Sequence, residues 1–451
     1  MGFTSLSFLV FFPIILVVHL LLPPKGRRIW LLAASYLFGL SFGTPVVLVL
    51  FFSTLVTYLG ALFLERCEAK KKKQLVLGTA VFCHVLFLSF FKYNSLSILL
   101  PIGISFYTFQ AIGYLADVYR GNAQAEHNFI SFALFQAFFP KLVQGPIERS
   151  DNLLVQIREL EHKNLWDVTR IREGALLLLW GLFQKLMIAD RIAVPVNAVY
   201  SQFGAFGGVE ILLTTVLYAF QIYCDFAGYT CIARGTAQIC GLDLLENFKR
   251  PYLADSVQDF WRRWHLSLSS WLRDYVYIPL GGNRKGKLRK YTNILITFLV
   301  SGIWHGTGLH FLLWGGLHGL GQMVDSKSRK LPRLLKQILV FLFVDAAWMV
   351  FRVNSLGDLK GMLQILVTDF RLKDFAAMQL GKLEWALLFA GILLVVGKDL
   401  LNEKGFSFRK WIQERHFLIR CLLYTGMVVG IITFGVYGAA YDTSQFLYTQ
   451  F

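Results

Sequence analysis

The sequence is short of charge. Only 16% of its 451 residues are charged, against about 25% in soluble globular chains. That scarcity excludes a soluble multidomain enzyme. Disorder is excluded as well, because it needs low hydrophobicity and 55% of this chain is hydrophobic. Acidic residues are scarcest. Asp plus Glu number 28 against 45 Lys plus Arg, a formal charge of +17. On so apolar a chain, a basic excess marks the cytoplasmic loops of a membrane protein rather than a nucleic-acid surface. Cysteine is sparse too: six residues, no C-x-x-C pair, and no zinc-site spacing among Cys224, Cys231 and Cys240. They read as small buried hydrophobes. Neither a basic residue before the first apolar run nor an A-x-A site after it is present, so residues 3–22 read as a retained first span. Internal repeats and low-complexity linkers are missing, which leaves one membrane domain.

What is present is a succession of apolar runs, long enough in sum for roughly ten spans at about 20 residues each. Lys25, Arg27 and Arg28 follow the first run. By the positive-inside rule they place the N-terminus outside and this loop in the cytoplasm. Residues 29–42 and 45–64 form a pair of spans returning to Arg66 and Lys70 to Lys73. Residues 75–91 go out and 96–118 come back. Residues 129–143, interrupted near Pro140 and Lys141, read as re-entrant. Residues 147–172 read as an interfacial helix, and 174–189 with 209–232 as a further pair of spans. The polar stretch 233–290 then faces the cytoplasm. So do the basic groups Lys327, Arg329, Lys330, Arg333 and Lys336, and Lys404, Arg409, Lys410 and Arg415. Five basic loops agree on one orientation.

Ionisable groups at membrane depth are costly and mark candidate sites. His19 and His84 stand alone in apolar spans and read as neutral imidazoles bonded between helices. His127, His162 and His416 have charged neighbours and read as solvated. His305 differs. It lies in Ser301-Gly302-Ile303-Trp304-His305-Gly306-Thr307-Gly308, between apolar arms at 291–303 and 309–324. The first arm is too short to cross about 30 Å of hydrocarbon, so the pair predicts a hairpin turning inside the membrane. An imidazole there serves as a general base near neutral pH, or caps the broken helix. His310 and His318, eight residues apart on the second arm, nearly share a helix face.

Asp259-Phe260-Trp261-Arg262-Arg263-Trp264-His265-Leu266-Ser267-Leu268-Ser269-Ser270-Trp271-Leu272-Arg273-Asp274-Tyr275 mixes aromatics with arginines. It reads as one interfacial amphipathic helix, with tryptophans at headgroup level and arginines free for phosphates. Gln221, Asp225 and Tyr229 recur every four residues and form one polar stripe. Asp225 needs a partner, for which a neighbouring arginine or histidine is expected.

These same residues carry a resemblance. The Trp-Arg-Arg-Trp-His run with Ile-Pro-Leu-Gly-Gly-Asn-Arg at 278–284, Phe139-Pro140-Lys141-Leu142-Val143-Gln144-Gly145-Pro146, the stretch 247–252, and Ser-Gly-Ile-Trp-His-Gly at 301–306 are similar to the membrane-bound O-acyltransferase family. The resemblance is to its alginate O-acetyltransferase-like branch, densest from about 100 to 320. It implies an all-α polytopic bundle of about 10–12 spans, with re-entrant and interfacial helices around a transmembrane tunnel. Residues 1–95 would be N-terminal spans, 96–325 the acyl-transfer core and 326–451 C-terminal spans. It implies an acyltransferase of the bacterial inner membrane that passes an acyl group, as acetyl, from a cytoplasmic thioester to an extracytoplasmic polysaccharide. His305 and His265 would be catalytic, and Trp264, Arg273, Asp274, Trp304, Asp225 and Gln221 would bind donor or substrate. Neither a metal nor a tightly bound cofactor is implied. The donor, acetyl-CoA or an acyl carrier, is a substrate. The expected partner is an extracytoplasmic SGNH-type acetyltransferase. Cys224, Cys231 and Arg234 depart from the branch's aromatic, acidic and apolar residues. D-alanyl transfer to teichoic acids, a lipid-linked sugar transporter, and a non-catalytic envelope scaffold are the alternatives.

Overall fold

The structure is a computed structural model that describes residues 1–93, 102–324 and 331–437. Every regular element in those residues is helical, as expected of an all-α membrane protein. Five helices are long and apolar enough to cross a membrane: Thr44–Arg66, Lys70–Lys92, Gly208–Ile239, Arg333–Arg352 and Phe417–Phe434. The protein is a multi-pass membrane protein. The expected start of a span at residue 96, and the basic residues Lys327, Arg329 and Lys330, lie outside the described residues.

The chain divides into two compact units. The first holds Met1–Trp180 and Tyr229–Glu246. Its helices are α1 Leu6–Leu21, α2 Arg27–Leu40, α3 Thr44–Arg66, α4 Lys70–Tyr93, α5 Ile104–Arg120, α6 Phe129–Ala137, α7 Phe139–Leu142, α8 Val155–Glu159 and most of α9, Val168–Leu182. The expected break near Pro140 falls at Phe138, between α6 and α7. The single interfacial helix expected over 147–172 does not form. A π-helical turn at Ser150–Leu154 leads into α8, and the chain leaves the helix before α9. Local side-chain bonds compete for the backbone there. Asn164 Oδ1 accepts the Trp166 N–H at 3.0 Å, and Asp167 Oδ1 accepts the Thr169 and Arg170 N–H groups at 2.9 and 3.1 Å.

Some of the excess positive charge closes helix ends in this unit. Arg170 donates to the carbonyls of Gln238 and Ile239, the latter at 2.8 Å. His19 Nε2 bonds the Cys240 carbonyl at 3.0 Å. Terminal carbonyls that the helix cannot satisfy are thereby paired. His84 Nε2 meets Thr57 Oγ1 at 2.9 Å between α4 and α3. Both lone histidines therefore join elements, as expected.

The second unit holds Gly181–Gly228 and Asn247–Phe451. After Gly181 the chain passes through a π-helical segment, Phe183–Ala189, into α10, Asp190–Ser201. Then come α11 Gly208–Ile239, whose C-terminal part belongs to the first unit, α12 Val257–Trp261, α13 Leu266–Leu272, α14 Gly286–His305, α15 Leu309–Gly321, α16 Arg333–Arg352, α17 Leu356–Thr368, α18 Lys382–Glu403, α19 Phe408–Gln413 and α20 Phe417–Phe434. Glu210 is wholly buried yet satisfied, accepting the N–H groups of Gly207, Lys373 and Asp374 at 3.2, 2.6 and 2.8 Å.

α14 and α15 form a hairpin, but α14 starts at Gly286 and runs 20 residues, longer than the arm expected over 291–303. Small residues allow the arms to touch through their backbones. A Cβ on Gly302 would stand 2.4 Å from the Phe311 carbonyl oxygen, and one on Gly315 would stand 2.4 Å from that of Phe298. Only glycine fits at such an approach.

Candidate functional site

The histidine at the turn of the hairpin is the last residue of α14. Its side chain is buried, 3% exposed. Trp304, Trp314 and Phe351 surround the His305 ring edge-on, at centroid distances of 4.7, 5.0 and 5.1 Å. Gly306-Thr307-Gly308 then turns the chain into α15. Trp314 and His318 stand one turn apart on α15, with ring centroids 5.0 Å apart. His310, on the same helix, packs instead on Phe311 at 4.1 Å.

The second histidine is built differently. One long amphipathic helix over 259–275 was expected, and the structure corrects this. The segment breaks into α12, α13 and a π-helical turn at Arg273–Tyr277. The break is at His265, which adopts a left-handed backbone with φ of +45°. A non-glycine residue there is strained by about 1–3 kcal/mol. Asn247 holds the turn in place. Its carbonyl accepts the Leu266 N–H at 3.0 Å and its Oδ1 accepts the Ser267 N–H at 3.2 Å. Trp261, Trp264 and Trp271 are buried in the protein, each against other aromatic rings: Trp261 lies 5.9 Å from Trp314 and Trp271 lies 5.2 Å from Tyr275, between centroids. Trp264 stacks on Phe260 at 5.5 Å and packs against Phe248 at 4.9 Å. His265 meets the Phe226 ring edge-on at 4.6 Å. Burial pushes its imidazole down to about 3, so the ring is neutral at physiological pH.

Trp348 of α16 brings the two histidine segments together. It lies 5.0 Å from Trp264 and 6.0 Å from Trp314, between centroids. Ring contacts through Phe226, Phe248, Trp348 and Trp314 thus link His265 and Trp264 to His305 and Trp304. Arg273 does not join these rings. Its side chain is largely exposed and pairs with Asp274 at 2.8 Å.

Asp225 finds a lysine rather than the expected arginine or histidine. Lys185 Nζ stands 2.6 Å from Asp225 Oδ1 and 2.7 Å from Asp190 Oδ1. All three side chains are largely or wholly buried, and Lys185 projects from the π-helical segment. Gln221, one turn before Asp225, keeps its Oε1 without a hydrogen-bond partner among the described residues. This charged triad was not anticipated. Its signal was the presence of Lys185 and Asp190 around an apolar run that reads as a plain span.

A second cluster was missed at Glu403. Three arginines converge on its carboxylate: Arg250 at 3.0 Å, Arg263 at 3.0 Å and Arg333 at 2.6 Å. Arg263 also reaches Asp259 at 2.8 Å. The hydrogen bond from Arg263 above all, with the positive charge around it, holds the Glu403 carboxyl below its usual range. Arg263, expected to face phosphates, is thus engaged within the protein. Among the described residues no group of His, Cys, Asp and Glu has the arrangement of a metal site.

Comparison with known proteins follows the same residues. A model of the membrane-bound O-acyltransferase family matches residues 125–337, a span containing both histidine segments. The chain is 36% identical over 385 residues to a Pseudomonas aeruginosa protein named a probable alginate O-acetylase, AlgI, covering 79% of this chain and 73% of that one. Similarity to the peptidoglycan O-acetyltransferase of Helicobacter pylori is 32% over 391 residues, covering 75% and 74%. Similarity to the teichoic acid D-alanyltransferase of Streptococcus thermophilus is 28% over 240 residues, covering 51% and 57%.

Proposed function

The chain belongs to the membrane-bound O-acyltransferase family, and from that premise we propose that it carries an acetyl group from a cytoplasmic thioester to hydroxyl groups of an extracytoplasmic polysaccharide. That it is an acyltransferase follows from the family and from its O-acetyltransferase relatives. The observation that carries the finer reading is the burial of His305 at the hairpin turn among Trp304, Trp314 and Phe351. A neutral imidazole takes the proton of an acceptor hydroxyl, or forms a transient acyl-imidazole itself. An aromatic enclosure excludes the water that would hydrolyse a thioester.

In this reading the donor enters from the cytoplasmic side past Arg273 and Asp274, at the exposed end of the segment that begins with Trp264 and His265. Acetyl rather than D-alanyl transfer is supported by the breadth of similarity: the acetyl-transferring relatives match about three quarters of the chain or more, the D-alanyl-transferring relative about half. The protein would sit in the bacterial inner membrane with its N-terminus outside, as the basic loops favour. An extracytoplasmic acetyltransferase of the SGNH type would complete the modification, and the donor would be a passing substrate rather than a resident cofactor.

The test is reconstitution in sealed vesicles with radiolabelled acetyl-CoA on the cytoplasmic face, and an SGNH-type acetyltransferase with alginate or peptidoglycan fragments opposite. Label should appear as ester on the acceptor with the native protein and vanish with His305→Ala. Equal label with both proteins would overturn the reading.

A further inference from the structure

The tautomer of His318 is set by its surroundings. The Trp261 indole Nε1–H points to His318 Nδ1 at 3.2 Å. An indole nitrogen only donates, so Nδ1 must carry a lone pair. A ring bearing protons on both nitrogens would set one N–H against another. The imidazole is therefore neutral, with its hydrogen on Nε2. Yet His318 Nε2 has no hydrogen-bond partner among the described residues, and the side chain is fully buried. Trp314 Nε1 shares that condition. The two residues stand one turn apart on α15, so both belong to one helix face.

This face is the one that holds the candidate base. Trp314 packs against His305 at 5.0 Å and against His318 at 5.0 Å. Two imidazoles thus flank one indole. They differ in preparation: the His318 ring is locked as a donor by Trp261, while His305 ends its helix at the turn. We propose that His318 is a hydrogen-bond donor of the acyl-transfer centre, its Nε2–H acting with the Trp314 N–H to hold the acyl carbonyl oxygen. The inference rests on the reading of His305 as the base.

The chemistry balances without any further reagent. The acceptor hydroxyl oxygen bonds the thioester carbonyl carbon, and the carbonyl electron pair moves to oxygen, where the two N–H groups receive it. His305 takes the hydroxyl proton. Collapse restores the carbonyl, breaks the C–S bond, and the thiolate leaves with the proton from His305. The products are an ester and a thiol. Donors fixed toward a developing oxyanion act most strongly where water is excluded. Neutral N–H donors suit a membrane site, since they carry no buried charge.

Two substitutions separate this role from packing. His318→Asn keeps an oxygen near the Nδ1 position to accept from Trp261, but has nothing at the Nε2 position. His318→Gln extends an amide N–H to that position. With purified protein, acetyl-CoA, an SGNH-type acetyltransferase and a polysaccharide acceptor, His318→Asn should lower kcat about 10²-fold, the loss seen when one oxyanion donor is removed. KM for the thioester and the melting temperature should hold. His318→Gln should recover a substantial part of kcat. Wild-type kcat in His318→Asn, or equal losses in both variants with a lowered melting temperature, overturns the proposal. Should His318→Asn not accumulate, Trp261→Phe decides: it frees the tautomer and should lower kcat at constant KM, and unchanged kcat overturns the role. His305→Ala is the control for the underlying reading. If it is active, that reading fails. If it is inactive while His318→Asn turns over normally, only the role of His318 fails.

Discussion

Lys185 and Asp225 form an ion pair 2.6 Å long inside the apolar part of the second unit. The same ammonium also contacts Asp190 at 2.7 Å, so one lysine compensates two carboxylates. Removing one member of a buried pair leaves an uncompensated charge, at a cost of about 3–5 kcal/mol. Lys185→Met should therefore sharply lower both the amount of folded protein in membranes and its melting temperature in detergent. Asp225→Asn should be milder, because Asp190 still balances the lysine. A Lys185→Met protein that melts like the native one would show that the triad is not charged.

The His305 prediction concerns turnover. Loss of a general base typically costs 10²–10⁴-fold, so His305→Ala should retain at most about 1% of native kcat at normal protein level. His265→Ala should lose less, because that ring packs on Phe226 and, in the proposed reading, stands on the donor side rather than at the reacting carbonyl. His265→Gly offers a finer comparison. It relieves the left-handed backbone while deleting the ring. If His265→Gly matches native activity, the imidazole has no part in the reaction.

Acid should destabilise the protein in two stages. The folded His265 imidazole sits near 3, below the unfolded value of about 6.5. The unfolded chain therefore binds a proton that the folded chain refuses, and stability falls as pH drops below about 6.5. The slope from this group is at most about 1.4 kcal/mol per pH unit. Glu403, outside the five candidate spans, has a folded value depressed by Arg263 and its neighbours. Its contribution is present above about pH 4.3 and is lost as pH falls through the folded value. Melting temperatures measured from pH 7.5 to 3 should hold down to about pH 6.5, decline below it, and fall further below about pH 4.3; His265→Gln should flatten the part above about pH 4.3. A profile unchanged by that substitution would contradict the first stage.

The hairpin makes a steric prediction. A Cβ on Gly302 would lie 2.4 Å from the Phe311 carbonyl oxygen, a backbone atom that cannot turn away. Gly302→Ala should force the arms apart, cost about 1–3 kcal/mol through overpacking, and displace His305 three residues on. Gly316→Ala is the control, since nothing lies within 4 Å of its added methyl. Activity and melting temperature should fall in the first variant and hold in the second. Equal behaviour of the two would mean the arms do not touch here.

Much of this protein was legible in its sequence because the membrane imposes a local rule. Backbone in hydrocarbon must satisfy itself, so long apolar runs become helices wherever they occur. Class, multi-pass character and the hairpin around Trp304-His305-Gly306 all follow from consecutive residues. His305 stood out on the same ground, as an imidazole between two apolar arms.

The remainder depended on residues far apart in the chain. The Asp259–Tyr275 run reads as one helix by composition, but Asn247 takes the N–H groups of Leu266 and Ser267 and the helix breaks at His265. Asp225 required a cation, and only packing selected Lys185. Glu403 carries no local sign that Arg250, Arg263 and Arg333 meet on it. Trp261 and His318 lie 57 positions apart, and their hydrogen bond, not either residue type, makes the ring a donor. Apolar periodicity states how much of a helix must be buried. Which side chains share that buried space is set by the packing of helices against one another, and there the charge partners and the tautomer were decided.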